Sequence, residues 1–374
     1  MWNNINKHKY TSDIDLNNFI DANKIVKDKI IETPLIKLEG LSQEINKPVY
    51  IKDESVQKTN SFKIRGIYNN VYNILNNIKE DNINIITQST GNHGIAVLFS
   101  IYEYLKNEKY DKVVKSINPI IFASSSIQKL KLNKMIYYLD KIRDLLGDKN
   151  RGMISYHYDS YEIAVNSRLE FMKNNKSIYV AHGSMDIIIG HGTMGLEIKN
   201  QLDELGYNKD TKITFLAACG AGGPIGIGIC LKELYDNVNF AIVQTDDQAA
   251  LIESLKQDKI VKNIPNNPNI PFNFADGIAV DNPEKDAYEL CKNYADAGIA
   301  VNHNKCFYEA KNLNNDMNKS TNKTDIFCGG TTVAVYLAIK ELKNSEIIQN
   351  SDIVIMLGCE GNIDNEIIDY INHL

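Results

Sequence analysis

Asn60-Ser61-Phe62-Lys63-Ile64-Arg65-Gly66 is the stretch on which the reading of this sequence turns. The β-branched run at 49–52 ahead of it reads as a buried strand, and 53–60 as a polar loop. Ser61 then has the character of a helix N-cap, with the helix running over 61–78. Lys63 falls in the first turn of that helix between Phe62 and Ile64, a poor place for a solvated lysine. Desolvation and the positive helix end both push an amine below the ordinary value of about 10.4. A neutral amine is what Schiff-base chemistry requires. On position alone, a lysine snorkelling from a helix start explains the same residue equally simply.

Outward from this point, β-rich runs at 83–87, 119–123, 213–217, 239–244 and 353–357 alternate with amphipathic stretches at 94–105, 193–205 and 224–234. Such alternation implies an α/β fold with parallel strands and right-handed crossovers. The Asn-rich patches at 266–273 and 312–322 are expected to be loops. No regulatory domain is expected after the last strand. At 374 residues the chain can hold two domains, each with its own core. Its composition, 43% hydrophobic and 24% charged, is that of a soluble globular protein. No apolar run approaches the roughly 18 residues of a membrane helix. Residues 1–15 are polar and lack the apolar core of a secretory signal, so a cytoplasmic location is expected. The net charge of -6, with lysines interspersed among acids, argues against nucleic-acid partners. Cys219, Cys230, Cys291, Cys306, Cys328 and Cys359 stand singly, without zinc-ligand spacing, and read as reduced thiols.

Three further segments have chemistry in them. Ser89-Thr90-Gly91-Asn92-His93-Gly94 follows a strand and opens a helix. It offers N–H groups and two hydroxyls to an anion such as a carboxylate, and Asn92 can donate to a phenolate oxygen. A capped turn is the plainer reading. Cys219-Gly220-Ala221-Gly222-Gly223-Pro224 leads from a strand into a helix, and its glycines let backbone N–H groups approach a phosphate at the helix start. A dinucleotide site would want an acidic residue at the end of the next strand, where Gln244 and Thr245 stand instead. Gly358-Cys359-Glu360-Gly361-Asn362 closes the last strand; a small residue at a strand-to-helix turn explains Cys359 equally simply.

Thr33-Pro34-Leu35, then Val49-Tyr50-Ile51-Lys52-Asp53-Glu54, then Gln57-Lys58-Thr59 running into the opening stretch, closely resemble the N-terminal signature of the serine/threonine dehydratase family. These are fold-type II pyridoxal-phosphate enzymes related to the tryptophan synthase β subunit. The segment at 89–94 resembles that family's SxGNH loop, 220–223 its GxGG loop and 358–362 its SGGN-like motif. Gly190-His191-Gly192-Thr193 with Glu197 resembles its GQGT…E helix start, and Ala275-Asp276-Gly277-Ile278 its ADG segment.

The resemblance implies that Lys63 carries pyridoxal 5'-phosphate as a Schiff base, with Phe62 against the ring. It implies that Gly220, Ala221, Gly222 and Gly223 cradle the phosphate, that Asn92 binds the ring oxygen and that Cys359 meets the pyridine nitrogen. Ser89, Thr90, Gly91, Asn92 and His93 would bind substrate, with His93 mainly structural, and Thr90 would stand beside Lys63 as a catalytic residue. Thr90 stands where serine racemases of the family have an acid/base serine, and its methyl group restricts χ1, so racemisation is not expected. The chain departs from the pattern at Glu360, where glycine is common, and at Ile326, Phe327 and Cys328, where a Glu is common. Gln244 replaces another common Glu ahead of Asp246 and Asp247, so no metal is expected.

The expected architecture is a larger domain from 1–82 and 181–374, a smaller one from 83–180, and the cofactor between them in a homodimer. The expected activity is elimination of the β-hydroxyl of L-threonine, L-serine or a close analogue to a 2-oxo acid and ammonia. A β-replacement enzyme and a non-catalytic cofactor-binding regulatory protein are the alternatives.

Overall fold

The computed structural model describes residues 1–3, 14–79, 82–107, 117–262, 273–280, 282–324 and 326–374. Its strands are β1 Trp2–Asn3, β2 Leu35–Lys37, β3 Val49–Asp53, β4 Ile83–Gln88, β5 Ile117–Ser124, β6 Met153–Tyr158, β7 Ser177–Tyr179, β8 Ile213–Ala218, β9 Val238–Thr245, β10 Ala297–Val301 and β11 Ile353–Gly358. The helices are α1 Leu16–Val26, α2 Glu39–Ile45, α3 Lys63–Asn77, α4 Asn92–Asn107, α5 Lys129–Leu146, α6 Tyr161–Asn174, α7 Met185–Glu204, α8 Ile225–Leu234, α9 Ala250–Gln257, α10 Lys285–Tyr294, α11 His303–Thr321, α12 Gly330–Glu341, α13 Glu346–Gln349 and α14 Asn365–His373.

Two sheets result. One has the order β1-β10-β9-β8-β11-β3-β2, parallel except for the edge strands β1 and β2; the other is β6-β5-β4-β7, parallel throughout. The parallel centre follows from composition. Every residue of β3, β8 and β11 is buried, which requires helices on both faces and rules out a solvated side. The fold is thus the α/β architecture expected from the alternation of elements.

Each sheet has its own core. One cluster holds Phe215, Leu216, Ile355, Met356 and the inward side of α12; the other holds Ile85, Ile95, Leu98, Ile121 and Met135. Helix α3 follows β3 of the first sheet yet buries Ile64, Ile67, Tyr68, Val71 and Leu75 in the second cluster. The chain therefore crosses from one core to the other at Phe62 and Ile64, either side of Lys63.

Two sequence expectations about elements fail. The Asn-rich run at 312–322 lies almost wholly in α11 rather than in a loop. Leu313, Asn314, Asp316 and Met317 are buried there, and the Asp316 carboxylate accepts from Gly40 N and Leu41 N at 2.8 Å each, so tertiary contacts override the weak helix propensity of Asn. The other patch, 266–273, lies outside the described residues except for Asn273. Helix α7 begins at Met185, eight residues before the expected start, and runs through Gly190 and Gly192. Those glycines serve close packing: a Cβ on Gly190 would lie 2.7 Å from Gly66 Cα, and one on Gly226 of α8 would lie 1.9 Å from Ile188 O. Among the described residues, no helix is long and apolar enough to cross a membrane.

Candidate active site

Lys63 is the first residue of α3. Ser61 is not the N-cap expected from its type: that position is Phe62, in αR conformation with no side-chain cap bond. Ser61 pairs instead in an isolated β-bridge with Glu360, which holds it away from the helix axis, and its Oγ accepts from Lys63 N at 3.4 Å. Phe62 N donates to Cys359 O at 3.1 Å, so the lysine segment is strapped to the end of β11. The Lys63 ammonium lies 5.1 Å from the Phe62 ring centroid, and that ring packs 4.8 Å from His191. Burial pushes the Lys63 amine below its ordinary value, against the opposing pull of Cys359, Glu360, Cys219 and Glu284.

Two residues on, Arg65 anchors the same helix. It is fully buried and donates to Glu54 Oε2 at 2.9 Å and Oε1 at 2.7 Å, and to Glu197 Oε1 at 2.7 Å and Oε2 at 2.9 Å. Lys52 joins them through Glu197 Oε2 at 2.8 Å and Thr33 O at 2.6 Å. Bidentate pairing on both carboxylates fixes the direction in which α3 leaves its loop.

The 89–93 segment lines a pocket together with Lys63. That pocket is lined by Lys63, Ser89, Thr90, Gly91, Asn92, His93 and, beyond the residues expected from sequence, Tyr161, His182, Asp276, Gly277, Ala279 and Val280. Ser89 Oγ accepts from Gly91 N at 3.1 Å and Gly94 N at 3.0 Å, so much of its capacity goes to capping α4. His93 stacks on His182 at 3.9 Å with Nε2 3.2 Å from Val180 O, while its buried Nδ1 has no partner among the described residues. Burial first, then His182 and Lys63, hold His93 well below the ordinary imidazole range. Burial pushes His182 down to about 3. Below Gly91, where a Cβ would meet Lys131 Cδ at 3.2 Å, the buried Lys131 forms an ion pair with Asp276.

The glycine turn abuts this pocket without lining it. Gly223 lies next to His191 and Phe62, where a Cβ would come to 3.2 and 3.4 Å, and a Cβ on Gly220 would lie 2.9 Å from Ile278 Cα. Gly222 has φ +98°, and a Cβ there would lie 2.1 Å from Ala287 Cβ, so no other residue fits. Among the described residues, the N–H groups of Gly220, Ala221, Gly222 and Gly223 have no acceptor. The ring nitrogens of the fully buried His191 make no hydrogen bond of ordinary geometry among the described residues, and the backbone of Lys63 and Gly223 lies close to them. Unspent donors at the N-terminus of α8 suit a phosphate dianion.

The 358–362 segment joins the other three. Cys359 N donates to the Cys359-facing Thr332 Oγ1 at 2.9 Å, and burial pushes its thiol well above the ordinary value, so the group is neutral. Asn92 Nδ2 donates to Glu360 Oε2, and Asn362 Nδ2 donates to Asn92 Oδ1 at 2.6 Å. Asp246 and Asp247, the adjacent acids considered for a cation, are engaged at the start of α11. Asp246 accepts from Asn302 Nδ2 and His303 N, and Asp247 lies 3.0 Å from His303 Nδ1.

The profile of the family described as pyridoxal-phosphate dependent enzymes matches residues 26–359, and the chain belongs to that family. Its cofactor is pyridoxal 5'-phosphate, and a buried amine and a turn of unspent N–H groups suit that group's aldehyde and phosphate. The chain is 26% identical over 296 residues to the L-threonine ammonia-lyase of Thermotoga maritima, covering 77% of this chain and 63%, less than two thirds, of that protein. Its fold is similar to threonine deaminase isoform 2 of Solanum lycopersicum, with a TM-score of 0.73 at 22% identity covering 100% of this chain and 96% of that one. It is similar also to diaminopropionate ammonia lyase of Escherichia coli, with a TM-score of 0.77 at 18% identity covering 99% and 95%.

Proposed function

We propose that this enzyme is an amino-acid ammonia-lyase that eliminates the β-hydroxyl of L-threonine, L-serine or a close β-hydroxy analogue, giving a 2-oxo acid and ammonia. The observation that carries the reading is that Lys63 and the 89–93 segment line one and the same pocket. The similarity to an L-threonine ammonia-lyase supports the same class. When bound, the cofactor supplies an electron sink for the charge that develops at the substrate's α carbon. Lys63 would hold the cofactor in the resting enzyme and, once displaced by substrate, its depressed amine would take the α proton and assist the departing hydroxyl. Gly220, Ala221, Gly222 and Gly223 would hold the phosphate, and Phe62 would flank the ring. Cys359 would offer a neutral partner to the ring nitrogen, which suits elimination without prolonged charge on the ring. The free amides of the 89–93 turn and Thr90 Oγ1 would hold the substrate carboxylate, with Asn92 turned to the ring oxygen.

A homodimer, a cytoplasmic location and a division into 1–82 with 181–374 against 83–180 belong to the same proposal. The test is 2-oxo acid release coupled to a reductase, run on L-threonine, L-serine and their D-isomers, with and without added sulfide. Release from the L-isomers, unchanged by sulfide and with negligible D-isomer formed, is the expected result. A sulfur-containing amino acid made at the expense of the 2-oxo acid would overturn it in favour of β-replacement. Full cofactor loading with no turnover of any β-hydroxy amino acid would favour a regulatory role.

A further inference from the structure

Glu360 is the least expected residue in the site, a carboxylate at a position where the motif resemblance leads to glycine. It is 4% exposed, and the chain makes room for it twice. A Cβ on Gly329 would lie 2.5 Å from Glu360 Cγ, and one on Gly277 would lie 3.4 Å from Oε1. Its own backbone is held from two sides, by the bridge to Ser61 and by Gly329 N donating to Glu360 O at 3.2 Å. Thr331 Oγ1 donates to Oε1 at 2.9 Å, and Asn92 Nδ2 donates to Oε2.

The Asn92 carboxamide is thereby read at both ends. Its oxygen accepts from Asn362 Nδ2, which also donates to Thr59 O at 2.8 Å. Asn362 Oδ1 in turn accepts from Lys134 Nζ, which donates to Asn60 Oδ1 at 2.8 Å as well. Hydrogen-bond direction is then the same along the whole row, from the Lys134 cation through Asn362 and Asn92 to the Glu360 carboxylate. A lone asparagine amide turns over at little cost. Here turning it over would set Asn92 Oδ1 against Glu360 Oε2 and Asn92 Nδ2 against Asn362 Nδ2, exchanging one bond to a carboxylate and one amide–amide bond for two repulsions. One N–H of Asn92 is spent on Glu360, and the second is left for the pocket that Asn92 lines with Lys63.

We propose that Glu360 is a positioning residue that locks the Asn92 carboxamide with its free N–H toward the ring oxygen of the cofactor. The inference rests on the assignment of Asn92 to that oxygen, and its test needs no substrate, so it stands apart from the lyase reading. The measurement is the cofactor dissociation constant, from release on dilution of the holoprotein, for the wild type, Asn92→Ala, Glu360→Gln and the double variant. The visible absorption maximum is recorded alongside. Asn92→Ala should weaken cofactor binding about tenfold, the worth of one hydrogen bond to a charged oxygen. Glu360→Gln should weaken it several-fold and move the absorption maximum in the same direction. The double variant should be no weaker than Asn92→Ala, because Glu360 acts only through Asn92. Multiplying effects in the double variant, or an unchanged constant in Glu360→Gln, would overturn the proposal. Glu360→Asp keeps the charge but draws the carboxylate out of reach of Asn92, and should show the same loss. It carries the test if Glu360→Gln fails to give a native melting transition, and wild-type behaviour in Glu360→Asp would overturn the proposal.

Discussion

The protein buries two clusters of charge, one anchoring the helix that Lys63 begins and one at the pocket that Lys63 lines, and they are built on opposite plans. Arg65, Lys52, Glu54 and Glu197 close on one another: two cations face two carboxylates, and the guanidinium reaches oxygens on both. Lys131, Asp276, Glu360 and Asn92 form the second cluster, and its members Asp276 and Asn92 line the pocket. The first spends its hydrogen-bonding capacity internally and fixes where α3 starts. The second leaves an N–H of Asn92 and, beside it, Nδ1 of His93 unspent. A saturated cluster marks a structural anchor, and one with capacity left over marks a place where a ligand completes it.

The contrast can be broken most sharply at Lys63 itself. Lys63→Ala should abolish turnover and the visible absorbance of the lysine-linked cofactor while leaving the melting temperature within about 4 °C of wild type. A borohydride-reducible cofactor linkage surviving at another lysine would remove Lys63 from its role. Next in size is Arg65→Met, which strands Glu54 in a fully buried position. It should cost about 3–5 kcal/mol in urea denaturation, and a loss below about 1 kcal/mol would mean the anchor is no anchor.

Gly222→Ala tests the glycine turn proposed to hold the phosphate, where positive φ and the 2.1 Å approach to Ala287 both oppose a methyl group. A stability loss of about 1–3 kcal/mol together with weakened cofactor binding is expected by denaturation and cofactor titration. A stable variant with native affinity would count against the cradle.

The pH response separates the two clusters more finely. Burial lowers His93, His182 and His191 in the folded protein, so below about pH 6.5 the unfolded chain takes up protons that the folded one refuses. Their contribution is complete above that pH and is lost as pH falls toward the depressed folded values. Each fully buried imidazole is worth at most about 2 kcal/mol by pH 5. The partly exposed His182 contributes less. Glu284 and Glu360, raised by burial, act in the opposite sense as pH falls, so the net loss is smaller than the sum. Glu54, whose carboxyl Arg65 holds down, enters only below about pH 4.5. Melting scans from pH 7 to 5 should therefore show a decline that His191→Gln flattens. An unchanged slope in that variant would place the protons elsewhere. The smallest effect belongs to chelation. With Asp246 and Asp247 held by Asn302 and His303, EDTA should leave the melting temperature and activity unchanged, and a clear drop in either would reveal a cation.

The lysine, the glycine turn and the sheet were legible because each depends on local chemistry. Glycines before a helix, an amine between apolar neighbours and wholly apolar runs declare themselves within ten residues of chain. The partners in the second cluster did not. Lys131 looks like any lysine of an amphipathic helix, and only the fold brings it beneath Gly91. Tyr161 and His182 reach the pocket from α6 and from the loop after β7, with no motif around them. Glu360 was visible as an oddity, but its meaning lies in Asn92, 268 residues away in sequence. His191 was visible too, in a motif whose start was misplaced because glycines packed inside a helix look the same as glycines that begin one.

The crossing of the chain between its two cores just before and after Lys63 has a mechanical consequence. Arg65 ties the start of α3 to α7 on one side, and Ile64, Ile67 and Tyr68 tie it to the four-stranded sheet on the other. Gly66 and Gly190 meet there backbone to backbone, leaving no side chain to slide. Lys63 is thus mounted on the fulcrum, and the 89–93 loop, which follows β4 of the four-stranded sheet, on the arm. A rocking of one sheet against the other would swing the loop toward or away from the amine while the amine kept its place.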